Sequence, residues 1–454
     1  MIRCSFIALI SLAFPLAAMA APPQGKYLTR VFYQDDETKT VKWADLLRGR
    51  SLILTQPQVV EGFPKIDPAK QTLVQMELAK GYILVGVRDE EDGKFQSGWV
   101  LIDCGLETEP HGNHLDWIYA RTPRVRAVQL DDQQGNPAHV YTYDDVFYAA
   151  NDQKNGFTRL APGEISSTDD EAAIRKKAVF HAGGGGHITL AVSGKKVAFS
   201  SWIDREGPNK GRVDLTLITT AGTDKPTTTI NLPRGGIHGA TACANKVFLA
   251  PSDGIDWVEV GDGIPTDPQQ IKIQHIDLGK IGDKPRRTGA FTTMGNRVAF
   301  VSGDGKDTEL GIIEADKTPP VLTKLALPLV EEGRPAGMEL IKPRSGNPIA
   351  LIFQDVEGEA PSKCKLKMVE LDPNGDQQWT DLRVGPEYPV GLAKIEGHGG
   401  HHSISADSDR FRCVFTNPGD GTISVLSLVN RSLEMTFTVG GHPSKVIAYG
   451  GHVH

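Results

Sequence analysis

Cysteine is scarce, an excess of positive charge is missing, and no apolar run after the first twenty residues is long enough to cross a membrane as a helix. The 454-residue chain has five cysteines, and none stands in a CxxC or in the CxxCH of haem attachment, which sets those two chemistries aside. Cys4 falls in the leader described below. Cys104, Cys243, Cys364 and Cys413 read as structural thiols or a disulfide, not as metal ligands, with three pairings open. Formal net charge is -7, which argues against nucleic acid or an anionic membrane as a partner and mildly favours cations. HExxH, GxSxG and a Walker loop are all missing, so enzyme signatures are sparse. The seven methionines form no thioether cluster suited to Cu(I). Amphipathic helices are missing too, apart from a short helical turn at Glu171 to Lys177.

The one long apolar segment lies at the start. Arg3 precedes a run from Phe6 to Ala17, and Ala18-Met19-Ala20 supplies an A-x-A site. That grammar is a secretory signal peptide over 1–20, and the run is too short for a membrane span. Cys4 is not placed as a lipoprotein-type acceptor. The mature chain, 21–454, is expected to be exported, without membrane insertion and as a monomer.

What is abundant is glycine, with 49 residues, and proline, with 29. They punctuate short alternating strands throughout, an all-β pattern. Four of the thirteen histidines open strand-like segments that recur about every 50 residues: Ala-His139-Val, Gly-His187-Ile, Ile-His238-Gly and Gly-His401-His402-Ser. A repeat of that length is the signature of a propeller blade. Units start near Thr72, His139, His187, His238, Gly289, Gly337 and His402. Leu28 to Leu54 reads as three strands lacking an inner one, and Pro443 to Tyr449 as an inner strand lacking its blade. Pairing these fragments removes two exposed edges and gives a single β-propeller of eight four-stranded blades, with seven as the alternative count.

Inner strands begin at one face and line the channel, so His139, His187, His238 and His401 or His402 are expected at one mouth. Neutral imidazoles converging there suit zinc. The competing reading has them bonded to loop carbonyls. Two blades open instead with Arg287-Thr-Gly289 and Pro335-Ala-Gly337, so the ring of histidines is incomplete. A second cluster, Glu109-Pro-His111-Gly-Asn113-His114 with Asp116, follows the strand Trp99 to Asp103. It is expected as a loop able to capture metal and deliver it to a buried site, or as a plain polar loop. A third, Gly397-His398-Gly-Gly-His401-His402, has a metal-binding composition. His181 and His187 flank four glycines, where a phosphate loop is ruled out because a strand follows and not a helix. Gly-Gly-His452-Val-His454 reads as a mobile tail. His275 and His442 read as structural.

In these stretches the chain resembles the periplasmic zinc metallochaperones of the AztD type. The likeness is carried by Leu101-Ile-Asp-Cys-Gly with Glu-Pro-His111-Gly-Asn-His114, Asn136-Pro-Ala-His139-Val, the Gly-His187 strand, Ile237-His238-Gly-Ala-Thr and Ser444-Lys-Val-Ile-Ala-Tyr-Gly-Gly451. The resemblance implies a secreted propeller in the periplasm that carries Zn2+ on histidines and a carboxylate. It also implies transfer to the solute-binding protein of a zinc ABC transporter. His111, His114, His139, His187 and His238 match locally; His398, His401 and His402 rest on composition and spacing alone. Asn113 departs from an acidic family position, leaving Glu109 or Asp116 in its place, and the family's acidic, histidine-rich N-terminal tract is missing.

The resulting expectation is a metal-transfer protein with no catalytic residues, Zn2+ first and Cu2+ second. Two rivals remain: a metal-dependent, lactonase-like hydrolase, whose turnover would track metal occupancy, and an interaction scaffold that binds no stoichiometric metal.

Overall fold

The computed structural model describes residues 25–112, 114–260, 267–358, 363–396 and 399–453. The leader at 1–20 lies outside them, as do Asn113, His398 and His454. Seven sheets of four antiparallel strands follow one another, spanning 71–131, 137–182, 190–231, 240–276, 292–326, 334–389 and 404–438; they are blades 1 to 7. Blade 8 is composite. Its inner strand, Pro443–Tyr449, pairs with Lys26–Asp35, followed outward by Thr40–Arg48 and Leu52–Leu54. Each inner strand touches the next, and that of blade 8 touches that of blade 1, so the ring closes. The count of eight and the closure by the two ends of the chain are as the strand pattern implied. Closure leaves only short inner edges, which face the channel.

Burial explains why the strands read as they do. Middle strands such as Ile349–Asp355 and Val146–Asn151 are buried along their whole length, because a neighbouring blade covers each face. Their sequences are accordingly continuous apolar runs. Outermost strands such as Val321–Ala326 and Ser432–Thr438 alternate between exposed and half-buried positions. Among the described residues the apolar core is divided into eight clusters that lie between adjacent blades. In one of them Phe353 of blade 6 meets Phe415 of blade 7 edge-on at 5.9 Å. The short helix is Glu171–Lys177, capped by the Asp170 carboxylate on the Ala173 N–H.

Strand parity decides which ends share a face. The start of an inner strand and the connection between second and third strands lie at one face; third-to-fourth connections lie at the other. Hairpin turns enforce the reversals: Asp144 and Asp145, both with positive φ, join Pro137–Tyr143 to Val146–Asn151.

The C-terminal tail differs from its expectation as a mobile segment. The Gly450 N–H donates to Ser408 Oγ, the His452 N–H to Asp409 Oδ2, and the Val453 N–H to the Tyr27 carbonyl. These bonds hold the tail against the face where the inner strands end.

Candidate metal centre

The channel mouth is a cavity of about 790 Å³ at the face where inner strands begin, lined among others by His139, His187, His238, His401 and His442. The first three come from the openings of blades 2, 3 and 4, and adjacency in the ring brings their rings together. Nε2 of His139 lies 3.0 Å from Nε2 of His187. The His187 and His238 ring centroids are 5.3 Å apart. Two nitrogens sharing a tetrahedral zinc at about 2.0–2.1 Å stand roughly 3.4 Å from each other, so the His139–His187 pair is close to a shared ligand edge. His238 lies alongside and has not closed on the same point. Among the described residues, no three His, Cys, Asp or Glu side chains are already gathered where they could hold one ion. The donor chemistry of the pair fits zinc, and a third ligand is not yet in place.

The outer nitrogens set the tautomers. Nδ1 of His187 lies 3.4 Å from Asp152 Oδ2, on a carboxylate with no solvent exposure. Asp152 Oδ1 accepts the Ile188 N–H at 3.0 Å, whereas Oδ2 has no hydrogen-bond partner and is otherwise approached by Arg88 at 3.5 Å. Nδ1 of His238 faces the Gly289 carbonyl at 3.4 Å. In both cases an oxygen acceptor behind Nδ1 favours the proton there and leaves the Nε2 lone pair for a ligand. Burial pushes the His238 pKa down, reinforced by the neighbouring His187, so this ring stays neutral to lower pH than a free one.

Blade 7 repeats the arrangement with a different outcome. The His402 N–H bonds to Asp355 as the Ile188 N–H bonds to Asp152, so His401 is the register counterpart of His187. His401 Nδ1 lies 3.0 Å from Asp355 Oδ2, and its ring lines the mouth. Blades 3 and 7 are opposite in a ring of eight, so His401 faces the trio across the cavity. His402, which the sequence offered as an equal candidate, is fully buried and stacked on Phe353 at 5.0 Å. Its Nδ1 lies 2.6 Å from Asp355 Oδ1 and its Nε2 3.2 Å from the Gly391 carbonyl. Both nitrogens face acceptors, so this ring is an interblade bolt. Burial raises the Asp355 pKa, but hydrogen bonds from His401 and His402 outweigh it and hold the carboxyl at about 2.

The His111 cluster lies elsewhere. Glu107–His111 and His114–Ile118 form a hairpin in which His111 pairs with His114, and His111 Nδ1 contacts Asp116 Oδ2 at 3.0 Å. The hairpin joins the third and fourth strands of blade 1. At its base Trp117 packs edge-on against Tyr449, and Tyr119 donates to the Gly451 carbonyl. Ser444 and Lys445, at the other end of that same inner strand, line the mouth. The strand is about 20 Å long. The hairpin and the mouth thus lie on opposite faces, and His111 does not line the mouth.

Two residues of the site escaped the sequence reading. Asp152 follows the second strand of blade 2, and its signal, an acidic residue closing that strand as Asp355 closes its counterpart in blade 6, shows only once blades are aligned. His442, read as structural, opens the inner strand of blade 8 and lines the mouth with Lys394, whose Nζ is 2.5 Å from its Nε2. The four glycines after His181 serve packing: a Cβ on Gly185 would lie 2.4 Å from the Trp202 ring, and the Gly184 N–H donates to Asp214.

No protein-family model and no curated protein matches the chain. Among solved structures, apo AztD from Citrobacter koseri superposes with a TM-score of 0.62 over 94% of this chain and 98% of that one, at 15% identity. A second structure of Citrobacter koseri AztD gives 0.61 over 94% and 100%, also at 15% identity. The dihydro-heme d1 dehydrogenase NirN in complex with DHE reaches 0.52 over 95% and 78%, at 11% identity. These likenesses span the whole ring, and in fold the chain is an AztD-type, eight-bladed β-propeller.

Proposed function

We infer that this chain is an exported, non-enzymatic zinc carrier that holds the ion at the channel mouth and passes it to the solute-binding protein of a zinc ABC transporter. The observation that carries the reading is the convergence of His139, His187 and His238 from three successive blades, two of them with Nδ1 on an oxygen and Nε2 toward a common cavity. His139 and His187 provide the first two ligands. His238 turns to become the third, and a fourth position stays open at the cavity for water or an incoming donor. An open position permits associative exchange, in which a donor from the receiving protein enters before a histidine leaves. His401, across the mouth and backed by Asp355, is a matching donor on the far side and would take part in loading or release. His111 and His114, on the other face, form no part of this site. The signal peptide expected at 1–20 fits a periplasmic location.

The test is a competitive zinc titration of the tag-free mature protein against a chromophoric chelator, beside His187→Ala/His238→Ala. Tight stoichiometric binding that the double variant loses supports the reading and makes transfer to a purified solute-binding protein the next assay. Binding no tighter than micromolar in the wild-type protein overturns it and leaves the mouth histidines as structural groups of a scaffold.

A further inference from the structure

We propose that Arg205 and Arg287 form a binding site for a carboxylate group at the edge of the mouth, beside His238. Arg205 lies in the connection between the second and third strands of blade 3, and Arg287 on the approach to Thr292–Met294, the inner strand of blade 5. The link into blade 4 brings them together at Gly236. The Gly236 N–H donates to the Asp204 carbonyl at 3.1 Å. A Cβ on Gly236, whose φ is +71°, would lie 3.2 Å from Arg205 Cγ and 3.6 Å from its Nε. The carbonyl of the same glycine faces Arg287 Nη2 at 3.5 Å. Two guanidinium side chains therefore meet at one glycine, and His238 follows shortly after it in the chain. The Gly289 carbonyl, just beyond Arg287, is the acceptor behind His238 Nδ1.

What points to an anion is the lack of an acid at this pair. The other arginines of the same links are satisfied. Arg286 pairs with Glu309 at 3.4 Å and donates to the Ser302 and Asp307 carbonyls, and Arg234 is held by Asp253 at 3.0 Å. Arg287 is half-buried, and among the described residues its one hydrogen bond is the long contact with Gly236. The charge acting on it is the like charge of Arg205, which together with burial pushes its pKa down. Arg205 has no carboxylate partner among the described residues either. A guanidinium drawn partly out of water against a like charge is costly unless an anion completes it. A chain of net charge -7 has acids to spare, yet none of the described ones pairs with these two arginines.

A carboxylate fits the pair because an arginine fork presents parallel N–H donors to its two oxygens, and a second guanidinium adds charge and further donors. The adjoining mouth has a volume of about 790 Å³, far more than an ion and its waters fill. A ligand held at the arginines can therefore extend past His238 into the cavity. There it would offset the positive charge that Arg287 brings to bear on His238 and take the open position on the ion, so that zinc and carboxylate strengthen each other's binding. This last step rests on the zinc reading; the site itself does not. The group comes either from a free polycarboxylate or from an acidic side chain of the receiving protein.

The experiment titrates the metal-free mature protein by calorimetry with citrate and, separately, with a blocked dipeptide of aspartate and glutamate. One saturable equivalent is expected, and Arg205→Gln/Arg287→Gln should weaken it at least about tenfold, with the thermal midpoint followed to confirm folding. Arg287→Lys, which keeps the charge and loses the fork, should also weaken it and is the second variant should the double substitution fail to fold. Preference for citrate identifies a free polycarboxylate as the ligand, and preference for the dipeptide a protein side chain. No saturable binding of either probe, or binding indifferent to both arginines, overturns the proposal. His187→Ala/His238→Ala should keep the carboxylate equivalent while losing zinc, so failure of this site and failure of the zinc reading are told apart.

Discussion

Replacing Asp152 by asparagine tests whether the buried carboxylate works through His187. The substitution keeps the volume and removes the charge. In the native arrangement Asp152 Oδ2, with no hydrogen-bond partner, stands 3.4 Å from His187 Nδ1, while Oδ1 is fixed by the Ile188 N–H. An amide that keeps its oxygen on Ile188 turns its NH2 toward His187. That favours the opposite tautomer, with the proton on Nε2, and removes the lone pair that would bind zinc. Loss of such an outer partner typically costs 10–100-fold in metal affinity, or about 1.4–2.7 kcal/mol. The assay is chelator competition at neutral pH, with the thermal midpoint as a folding control. Arg88→Gln should act in the opposite direction, because its guanidinium lies 3.5 Å from the same oxygen and lines the cavity where the ion would sit. An Asp152→Asn protein that folds normally and binds zinc within about twofold of wild type would refute the reasoning. His187 would then be oriented by packing alone.

His402→Asn should leave zinc affinity unchanged while costing about 3–5 kcal/mol of stability in urea, since it strips a buried partner from Asp355; loss of zinc binding without loss of stability would reverse the roles assigned to His401 and His402. Burial, with help from Arg159, lowers the His181 pKa to about 4. The unfolded chain therefore takes up this proton first, and the contribution of His181, full above pH 6.5, is lost as pH falls toward 4. His181→Phe, stacking on Phe157 as the imidazole does, should flatten that loss by up to about 3 kcal/mol; an unchanged difference between urea curves at pH 7 and pH 4 would contradict it. Cys104, Cys243, Cys364 and Cys413 are all buried and unpaired. A thiol reagent should therefore find none in the native protein and all four after denaturation without reductant, whereas two or fewer would reveal a disulfide.

Much of the ring was legible because its determinants are local. Alternating runs, turn residues and the spacing of His139, His187 and His238 mark the blades. An orphan inner strand at Pro443–Tyr449 and three strands at the start leave only one way to close the sheet. The short helix at Glu171–Lys177 was equally plain. The same patterns identified the mouth histidines, since the opening position of an inner strand is a property of the strand itself.

Tertiary structure alone decided which of them meet. Blades 2, 3 and 4 are neighbours, so His139, His187 and His238 converge, while His401 on blade 7 looks at them from across the ring. A single residue of register put His401 at the cavity and His402 in the core, a distinction that two adjacent histidines in a sequence cannot carry. The face occupied by His111 follows from strand parity, and the role of Asp152 from contact between blades. Sequence fixes how a strand is patterned through interactions a few residues apart; a metal-binding geometry depends on side chains brought together by closure of the whole ring.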